Sequence, residues 1–245
     1  MHSSPNLTLN GVDLLADLSG ALLWPDRRLL VVADLHLEKG SAFAQRGQLL
    51  PPYDTGATLA RLEGVIERHQ PETVICLGDS FHDRRAADRL SRPDAERIAR
   101  LTAARDWIWV TGNHDPEPPA HLGGRIADAV TLGALCFRHE ATAGAGGGGG
   151  GEVSGHYHPV AAVRARGRRV RARCFASDGK RLIMPSFGAY TGGLNVLDRV
   201  LAPLLGRRFQ VHIMGREKLF EFPSARLEPD LERAFRMPAA SGVVG

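Results

Sequence analysis

The chain has too few cysteines for a disulfide framework or a cysteine zinc site. Its three cysteines, Cys76, Cys136 and Cys174, form no CxxC pair, and an odd count in a chain of this length is typical of a reducing compartment. We expect them to be inert core residues. The sequence also lacks any run of ~18 uncharged apolar residues, the length needed to cross a bilayer. Its first residues have no basic segment, and Asp13 and Asp17 interrupt their apolar positions. The sequence therefore predicts a cytoplasmic protein without a membrane partner.

Neither sign of charge is in large excess. Lys and Arg number 31 against 27 Asp and Glu, giving a net charge of +4 and a pI of about 9.3. This balance permits an anionic partner without identifying one. Hydrophobic residues make up 43% of the chain and charged residues 24%, which excludes wholesale disorder, collagen-like repeats and coiled coil.

Apolar runs that end in polar residues recur three times in the first half of the chain. Residues 29–33, 73–77 and 107–110 have the length and β-branching of buried strands. Helical stretches separate them, one beginning at Asp54 or Thr55 and another carrying Pro93 in its first turn. This alternation predicts an α/β domain, and ligands in such folds bind beyond the carboxyl ends of the strands.

The second half of the chain is poorer in helical periodicity. After about residue 125, short strands separated by turn residues continue to about residue 222, with one helix near residues 195–204. We therefore predict a mixed β-sandwich flanked by helices, forming a single domain over residues 1–225. The glycine run at residues 144–151 predicts a mobile, inert loop, and residues 226–245 predict a loosely packed polar tail.

Oxygen and nitrogen donors, without thiolates, follow five of the predicted strands. A lone histidine is more often a hydrogen-bonded core or surface residue than a ligand, but five such groups are harder to dismiss. Burying them together without compensation costs several kcal/mol, whereas divalent cations make the cluster favourable. The number of donors indicates two metal ions, with Mn preferred and Fe or Zn as alternatives. The candidate ligands are Asp34, His36, Asp79, Asn113, His139, His156 and His158.

The order of these motifs identifies a family resemblance. DxH, GD, GNHD, a lone His and GHxH resemble the calcineurin-like binuclear metallophosphoesterases. The segments ADLHLEKG, LLPPYDT, LGDSFHD, GNHDP and MPSFGAYTGGLNV further resemble the bacterial ligase-associated DNA damage response endonuclease family, over roughly residues 30 to 200. The resemblance implies a four-layer α/β/β/α sandwich of mixed sheets and a manganese-dependent phosphodiesterase. It also implies a DNA substrate, single-stranded, in DNA repair, with a repair ligase or helicase as a partner.

The same resemblance implies roles for individual residues. One ion is held by Asp34, His36, Asp79 and His158, and the second by Asp79, Asn113, His139 and His156, so that Asp79 bridges them. Two such ions can activate a hydroxide and hold the attacking and leaving oxygens.

Two further histidines and two aspartates extend the predicted site. His114 is the residue that would assist the leaving oxygen, its alternative being a partner that orients a ligand. Asp115 is a candidate for orienting His114. His82 and Asp83 either line the substrate groove or begin a helix.

Two features depart from the family pattern. Glu140 follows His139 where the wider superfamily has Gly, and the glycine run reads as an insertion.

A basic hairpin follows the last predicted ligand. A two-residue turn at Gly167 and Arg168 would pair Arg166 with Arg169 and Arg164 with Arg171. One face then carries Arg164, Arg166, Arg169, Arg171 and Arg173. Such a face suits a phosphate backbone, although edge strands also carry charge to prevent aggregation.

Two other functions compete with a DNA phosphodiesterase. A hydrolase of small nucleotides or other small phosphodiesters would use the same metal centre and leave the arginine face idle. A noncatalytic scaffold would require lost ligands, yet every ligand position and His114 are present.

Overall fold

The computed structural model describes residues 5–48, 53–115, 119–142 and 149–230. Some predicted features lie outside these ranges: residues 49–52 and 116 of the family segments, most of the glycine run and the end of the predicted tail. Within the described residues, no helix is long and apolar enough to cross a membrane.

The first sheet has seven strands in chain order. The first four form an antiparallel meander, and the last four, which include β4, run parallel. They are β1 (Asn6–Leu9), β2 (Val12–Ala16), β3 (Leu22–Trp24), β4 (Leu29–Val32), β5 (Thr73–Leu77), β6 (Asp106–Val110) and β7 (Arg125–Ala127). Every position of β4 is buried, as expected of a central strand covered on both faces. The three strands predicted from the apolar runs are confirmed as β4, β5 and β6.

The second sheet has nine strands and mixes both directions. Its main path is β14-β11-β12-β13-β10-β9-β8, and β15 and β16 extend it from β12. The strands are β8 (Ala129–Leu132), β9 (Leu135–Arg138), β10 (Gly151–Ser154), β11 (Pro159–Ala165), β12 (Arg168–Ser177), β13 (Arg181–Ile183), β14 (Leu194–Asn195), β15 (Gln210–Met214) and β16 (Leu219–Pro223). Of these pairings, β9, β10 and β13 run parallel to one another.

The helices of the described residues cover the outer faces of the two sheets. They are α1 (Lys39–Gln45), α2 (Asp54–His69), α3 (Ala86–Arg89), α4 (Arg92–Ala103) and α5 (Ala202–Leu205), with short 3-10 turns at Pro25–Arg27, Ala120–Leu122 and Ser224–Arg226. The helix expected near residues 195–204 is therefore only the short α5.

The two long helices begin in different ways. In α4 the Ser91 side chain accepts from Asp94 N, with Pro93 in the first turn. The Asp54 and Thr55 side chains do not cap α2. They bind the backbone of Gly40 and Glu38, which ties α2 to α1.

Three hydrophobic clusters stack across the molecule. One lies between α2, α4 and the first sheet, one between the sheets, and one between the second sheet and α5. This is the four-layer α/β/β/α sandwich of mixed sheets, and the fold prediction is confirmed. Cys76 and Cys174 are buried within it, and all three cysteines are free thiols.

Two local predictions are corrected by the structure. Gly151 is not loop but the buried first residue of β10, packed against β9. Residues 227–230 are not loosely packed either: Glu228 N donates to Ala162 O at 2.7 Å, and Asn195 donates to Glu228 O. The start of the predicted tail thus docks beside β11.

Candidate metal centre

The predicted ligands follow parallel strands whose carboxyl ends meet at one edge. Asp34 and His36 follow β4, Asp79 follows β5, and Asn113 follows β6 of the first sheet. From the second sheet, His139 follows β9, and the pair His156 and His158 follows β10. Because the sheets are stacked, the two sets of strand ends face each other across the interlayer core. The structure brings all seven predicted ligands together.

Five of these ligands adopt a left-handed backbone conformation. They are Asp34 (φ 54°), His36 (φ 45°), Asp79 (φ 45°), His156 (φ 71°) and His158 (φ 46°). Non-glycine residues in this region are uncommon and cluster at functional sites. The backbone of each polar turn therefore changes direction immediately after its strand, and the side chains of neighbouring turns point toward one another.

Two glycines allow the turns to approach closely. A Cβ at Gly78 would lie 2.4 Å from His139 Nδ1, and one at Gly112 would lie 2.2 Å from Asp79 N. Any larger residue at these positions would push His139 or Asp79 out of place. The glycines of the GD and GNHD motifs are therefore explained by packing around the ligands.

The first ligand group consists of Asp34, His36 and His158. His36 Nε2 lies 3.2 Å from His158 Nε2, and Asp34 Oδ1 lies 3.6 Å from His158 Nε2. The Asp34 carboxylate is fully buried and also accepts from His156 N. One coordinating atom of each side chain lies within 4.8 Å of the others, a spacing at which a single ion can bind all three.

The second ligand group consists of Asp79, His139 and His156, with Asn113 beside it. His139 Nε2 lies 2.9 Å from Asn113 Oδ1, 3.1 Å from His156 Nδ1 and 3.5 Å from Asp79 Oδ1. His139 Nδ1 donates to Leu77 O at 2.9 Å. This bond fixes the tautomer and leaves Nε2 free for a metal, as is typical of ligating histidines. The geometry groups Asp79 with this set, and its bridging role stays a prediction.

The charges of the cluster fit a cation in each group. Among the described residues, neither Asp34 nor Asp79 is paired with a lysine or arginine, although both carboxylates are buried. His36 and His156 do not supply the missing charge. Burial, with the nearby His158 and Lys39, lowers the pKa of His36 to about 2, and burial beside His139 lowers the pKa of His156. Neutral imidazoles and ionised carboxylates are the ligands that divalent transition metals require.

His114 lies on the exposed side of the first group. Its ring centroid is 5.3 Å from that of His36, and its Nδ1 donates to His82 O at 2.9 Å. His82 stacks on it with ring centroids 5.6 Å apart and also contacts Phe43. Burial, with Lys39 and His114, lowers the pKa of His82 to about 4. His82 therefore lines the site as an uncharged ring.

The prediction that Asp115 orients His114 is corrected. Asp115 is buried, and its Oδ2 accepts from Phe81 N at 3.0 Å. Among the described residues it forms no hydrogen bond with the His114 side chain, which is oriented by the His82 carbonyl. Burial, with the Asp79 carboxylate adding to it, raises the pKa of Asp115 to about 8. Asp115 thus supports the turn that carries Asp79. Asp83 likewise turns away and pairs with Arg89.

An open groove borders both ligand groups. It has a volume of about 460 Å³ and is lined by Glu140, His156, Tyr157, His158, Gly192, Gly193, Leu194 and Val200. A larger cavity of about 890 Å³ lies elsewhere, beside Asp17 and Arg68, and its lining contains no candidate ligand. Of these two cavities, the smaller is the one lined by candidate ligands, His156 and His158. Tyr157 and Val200 are groove residues without a recognisable sequence signal.

The basic hairpin forms with a different register from the one predicted. Arg164 pairs with Arg169, and Ala162 with Arg171. The turn residues are Arg166 (φ 49°) and Gly167 (φ 74°), because a type I′ turn takes two residues with positive φ and favours Gly second. The register differs by two positions, so Arg164, Arg169, Arg171 and Arg173 still share one face.

Most of this arginine face is already paired. Arg164 binds Glu228, and both Arg169 and Arg171 bind Asp230. Side-chain hydrogen bonds from Arg171 and Arg169 hold the pKa of Asp230 down at about 2. We call residues 228–230 the acidic strap. The hairpin is therefore not a bare cationic surface.

Comparisons with known proteins agree with this geometry. The chain matches the family model described as calcineurin-like phosphoesterase over residues 27–178. That span contains all seven candidate ligands and His114. No curated protein sequence matches the chain.

The solved structures similar to the chain include a nuclease and a phosphoesterase. The crystal structure of Pseudomonas putida nuclease MPE is 28% identical, covers 89% of this chain and 100% of its own, and superposes with a TM-score of 0.69. Yfce, a phosphoesterase from E. coli, is 17% identical over 81% of this chain and 98% of its own, with a TM-score of 0.40.

Proposed function

Because the chain belongs to the calcineurin-like phosphoesterase family, we propose that it is a manganese-dependent endonuclease that hydrolyses phosphodiester bonds in single-stranded DNA. The family match establishes metal-dependent phosphoester hydrolysis as the reaction. The DNA substrate is supported by the similarity to a nuclease along its whole length. A place in DNA repair, beside a ligase or helicase, rests on the sequence resemblance alone.

The observation that carries the proposal is the pair of adjacent Asp and His groups at the strand ends. Asp34, His36 and His158 would hold one ion, and Asp79, Asn113, His139 and His156 the other, with Asp79 shared. When bound, two such ions supply the activated nucleophile and the positive charge that an in-line displacement at phosphorus needs. The mixed carboxylate, amide and imidazole donors suit Mn, Fe or Zn.

The residues of the chain supply orientation and a proton. The His139 ring is held by Leu77 O, so that its Nε2 faces the second group. His114 donates from Nδ1 to His82 O, which leaves its Nε2 to carry the proton that a leaving oxygen takes. A histidine in this position contributes roughly 100- to 10,000-fold to the rate as a general acid. The groove beside His156 and His158 admits the substrate.

A substrate and metal panel tests this function. Metal-stripped protein is assayed on single-stranded DNA, duplex DNA and a chromogenic phosphodiester, with Mn, Fe, Zn or Mg added back separately. We expect no hydrolysis in excess chelator, restoration by Mn, and preference for single-stranded DNA. Full activity in chelator would contradict the metal mechanism. Hydrolysis of the chromogenic diester without cleavage of any DNA would instead favour a small-phosphodiester enzyme.

A further inference from the structure

Two arginines near the first ligand group, Arg61 of α2 and Arg173 of the hairpin, differ from the hairpin arginines Arg164, Arg169 and Arg171. Arg61 of α2 donates to Phe187 O and lies over the Phe187 ring, with its guanidinium carbon 4.5 Å from the ring centroid. Arg173 of β12 donates from Nη1 to Ser186 O at 2.9 Å. Within the described part of the chain, neither forms an ion pair with a carboxylate.

The charges of these two side chains are therefore uncompensated. Both are partly buried, and Arg61 Nε is buried without a hydrogen-bond partner. Burial, followed by the charge of Arg173, lowers the pKa of Arg61 to about 10, and burial also lowers the pKa of Arg173. A guanidinium has five N–H donors, so each side chain keeps donors beyond the one that binds a carbonyl. Two neighbouring cations with free donors favour an anion between them.

The backbone segment that they bind runs beside Asp34. Phe187 N donates to Ala33 O at 2.7 Å, and Gly188 N donates to Asp34 O at 3.1 Å. Ser186 and Gly188 are two residues apart, which an extended chain covers in at most ~7 Å, so the Arg173 guanidinium lies within roughly 15 Å of Asp34. A short stretch of nucleic acid can reach both.

We propose that Arg61 and Arg173 together bind a backbone phosphate of the substrate strand that is not the one cleaved. This inference rests on the proposed function, since it takes the substrate to be a polynucleotide. Guanidinium groups bind phosphate oxygens through paired N–H donors. The hairpin arginines Arg164, Arg169 and Arg171 are engaged by the acidic strap, whereas no carboxylate of the described residues competes for Arg61 or Arg173.

The competing interpretation is that both arginines only fasten the backbone of residues 186 and 187. Arg105 provides a matched control for it. Its Nη1 donates to Leu101 O at 2.8 Å and its Nε is buried without a partner. It precedes β6 at the amino end of that strand, far from the ligands, and burial lowers its pKa as well. Its replacement should therefore reproduce the structural cost without touching the site.

The experiment measures binding in the absence of metal. Arg61→Gln, Arg173→Gln and Arg105→Gln are compared with wild type for binding a labelled single-stranded oligodeoxythymidine in chelator, over a range of salt concentrations. Glutamine keeps an amide donor, although on a shorter side chain, and removes the charge. We expect the first two variants to lose roughly tenfold in affinity each and to lower the salt slope by at most ~0.7, the contribution of the one phosphate that they share. Arg105→Gln should bind as wild type.

A second measurement separates the possible outcomes. Inorganic phosphate should raise the melting temperature of metal-free wild type and of Arg105→Gln, but not of Arg173→Gln, and Arg61→Lys should retain part of the effect. Wild-type binding and salt slope in both Gln variants would overturn the subsite. If wild type binds no DNA, the proposed substrate fails, while phosphate protection that depends on the two arginines would still support an anion site.

Discussion

The metal centre and the arginine surface lie side by side but are built in opposite ways. The metal ligands lie directly after the ends of strands and are mostly buried. Over the ranges that the structure describes, no lysine or arginine pairs with Asp34 or Asp79. Three arginines of the hairpin, Arg164, Arg169 and Arg171, take carboxylate partners from the acidic strap, about 60 residues away in the chain. The centre therefore holds negative charge that can bind cations, whereas the positive charge of these three arginines is already paired.

This difference separates chemistry from substrate choice. Loss of a metal ligand should affect every substrate alike, because all hydrolysis depends on the same ions. Changes in the arginines and their carboxylate partners should affect only substrates long enough to reach them. A change in a metal ligand that impaired only long substrates, or a change in the arginines that impaired short ones as well, would contradict this separation.

The largest effect is expected from Asp79→Ala. This change removes a buried ligand of the second group and, by our assignment, the bridge between the ions. Hydrolysis of both DNA and the chromogenic diester should fall to background, and metal analysis should find fewer than two bound ions. Asp106→Ala, at the exposed opposite end of β6, is the control and should retain both. Two tightly bound ions in Asp79→Ala would contradict the assignment.

A smaller, substrate-dependent effect is expected from His114→Ala. Metal content should stay near that of wild type, while turnover falls by roughly 100- to 10,000-fold, the range for a lost general acid. The loss should shrink for diesters with good leaving groups, because these need little protonation. Turnover on a series of aryl diesters measures this, with the exposed His121→Ala as control. Equal loss across the series would indicate stabilisation of charge instead.

The smallest effect is expected from the acidic strap. The double change Glu228→Gln and Asp230→Asn should free Arg164, Arg169 and Arg171, so that single-stranded DNA binds several-fold more tightly. The salt slope should rise by ~0.7 for each arginine that gains a phosphate. Binding titrations at several salt concentrations provide the measurement.

A second ion pair serves as the control for the strap. Glu72→Gln breaks the exposed pair with Arg28 on another part of the surface and should leave DNA binding unchanged. If the strap variant binds DNA more weakly than wild type, its carboxylates position the arginines and do not compete with DNA.

The parts of the site that could be predicted are those that depend on local sequence. An apolar run followed by Asp34 and His36 specifies a buried strand and a polar turn, and parallel strands bring such turns to one edge. The same reasoning found β5 and β6 and placed His114 beside the ligands. The family resemblance added the four-layer order of the sheets, which strand patterns alone leave open.

The parts that could not be predicted depend on partners distant in the chain. Because Asp115 follows His114 in the sequence, the sequence predicts that it orients His114. In the structure the Asp115 carboxylate accepts from Phe81 N instead. The sequence predicts a hairpin turn at Gly167 and Arg168, whereas the turn residues in the structure are Arg166 and Gly167. Moving the turn by one residue changes the pairing register of the two strands by two positions. Neither the acidic strap nor the contacts of Arg61 with Phe187 leave any periodic signal in the sequence, because each joins residues that are far apart in the chain.

The left-handed turns restrict which residues this centre can ever use. Five ligands occupy backbone conformations that, apart from glycine, are best tolerated by Asp, Asn and His. These residue types also coordinate hard and borderline metals. The backbone conformation and the need to bind metal therefore favour the same few residue types. Exchange of Asp34 for Glu would keep a carboxylate but place a poorly tolerated residue in the turn. At these five positions the backbone therefore favours exchange among Asp, Asn and His over exchange for longer side chains.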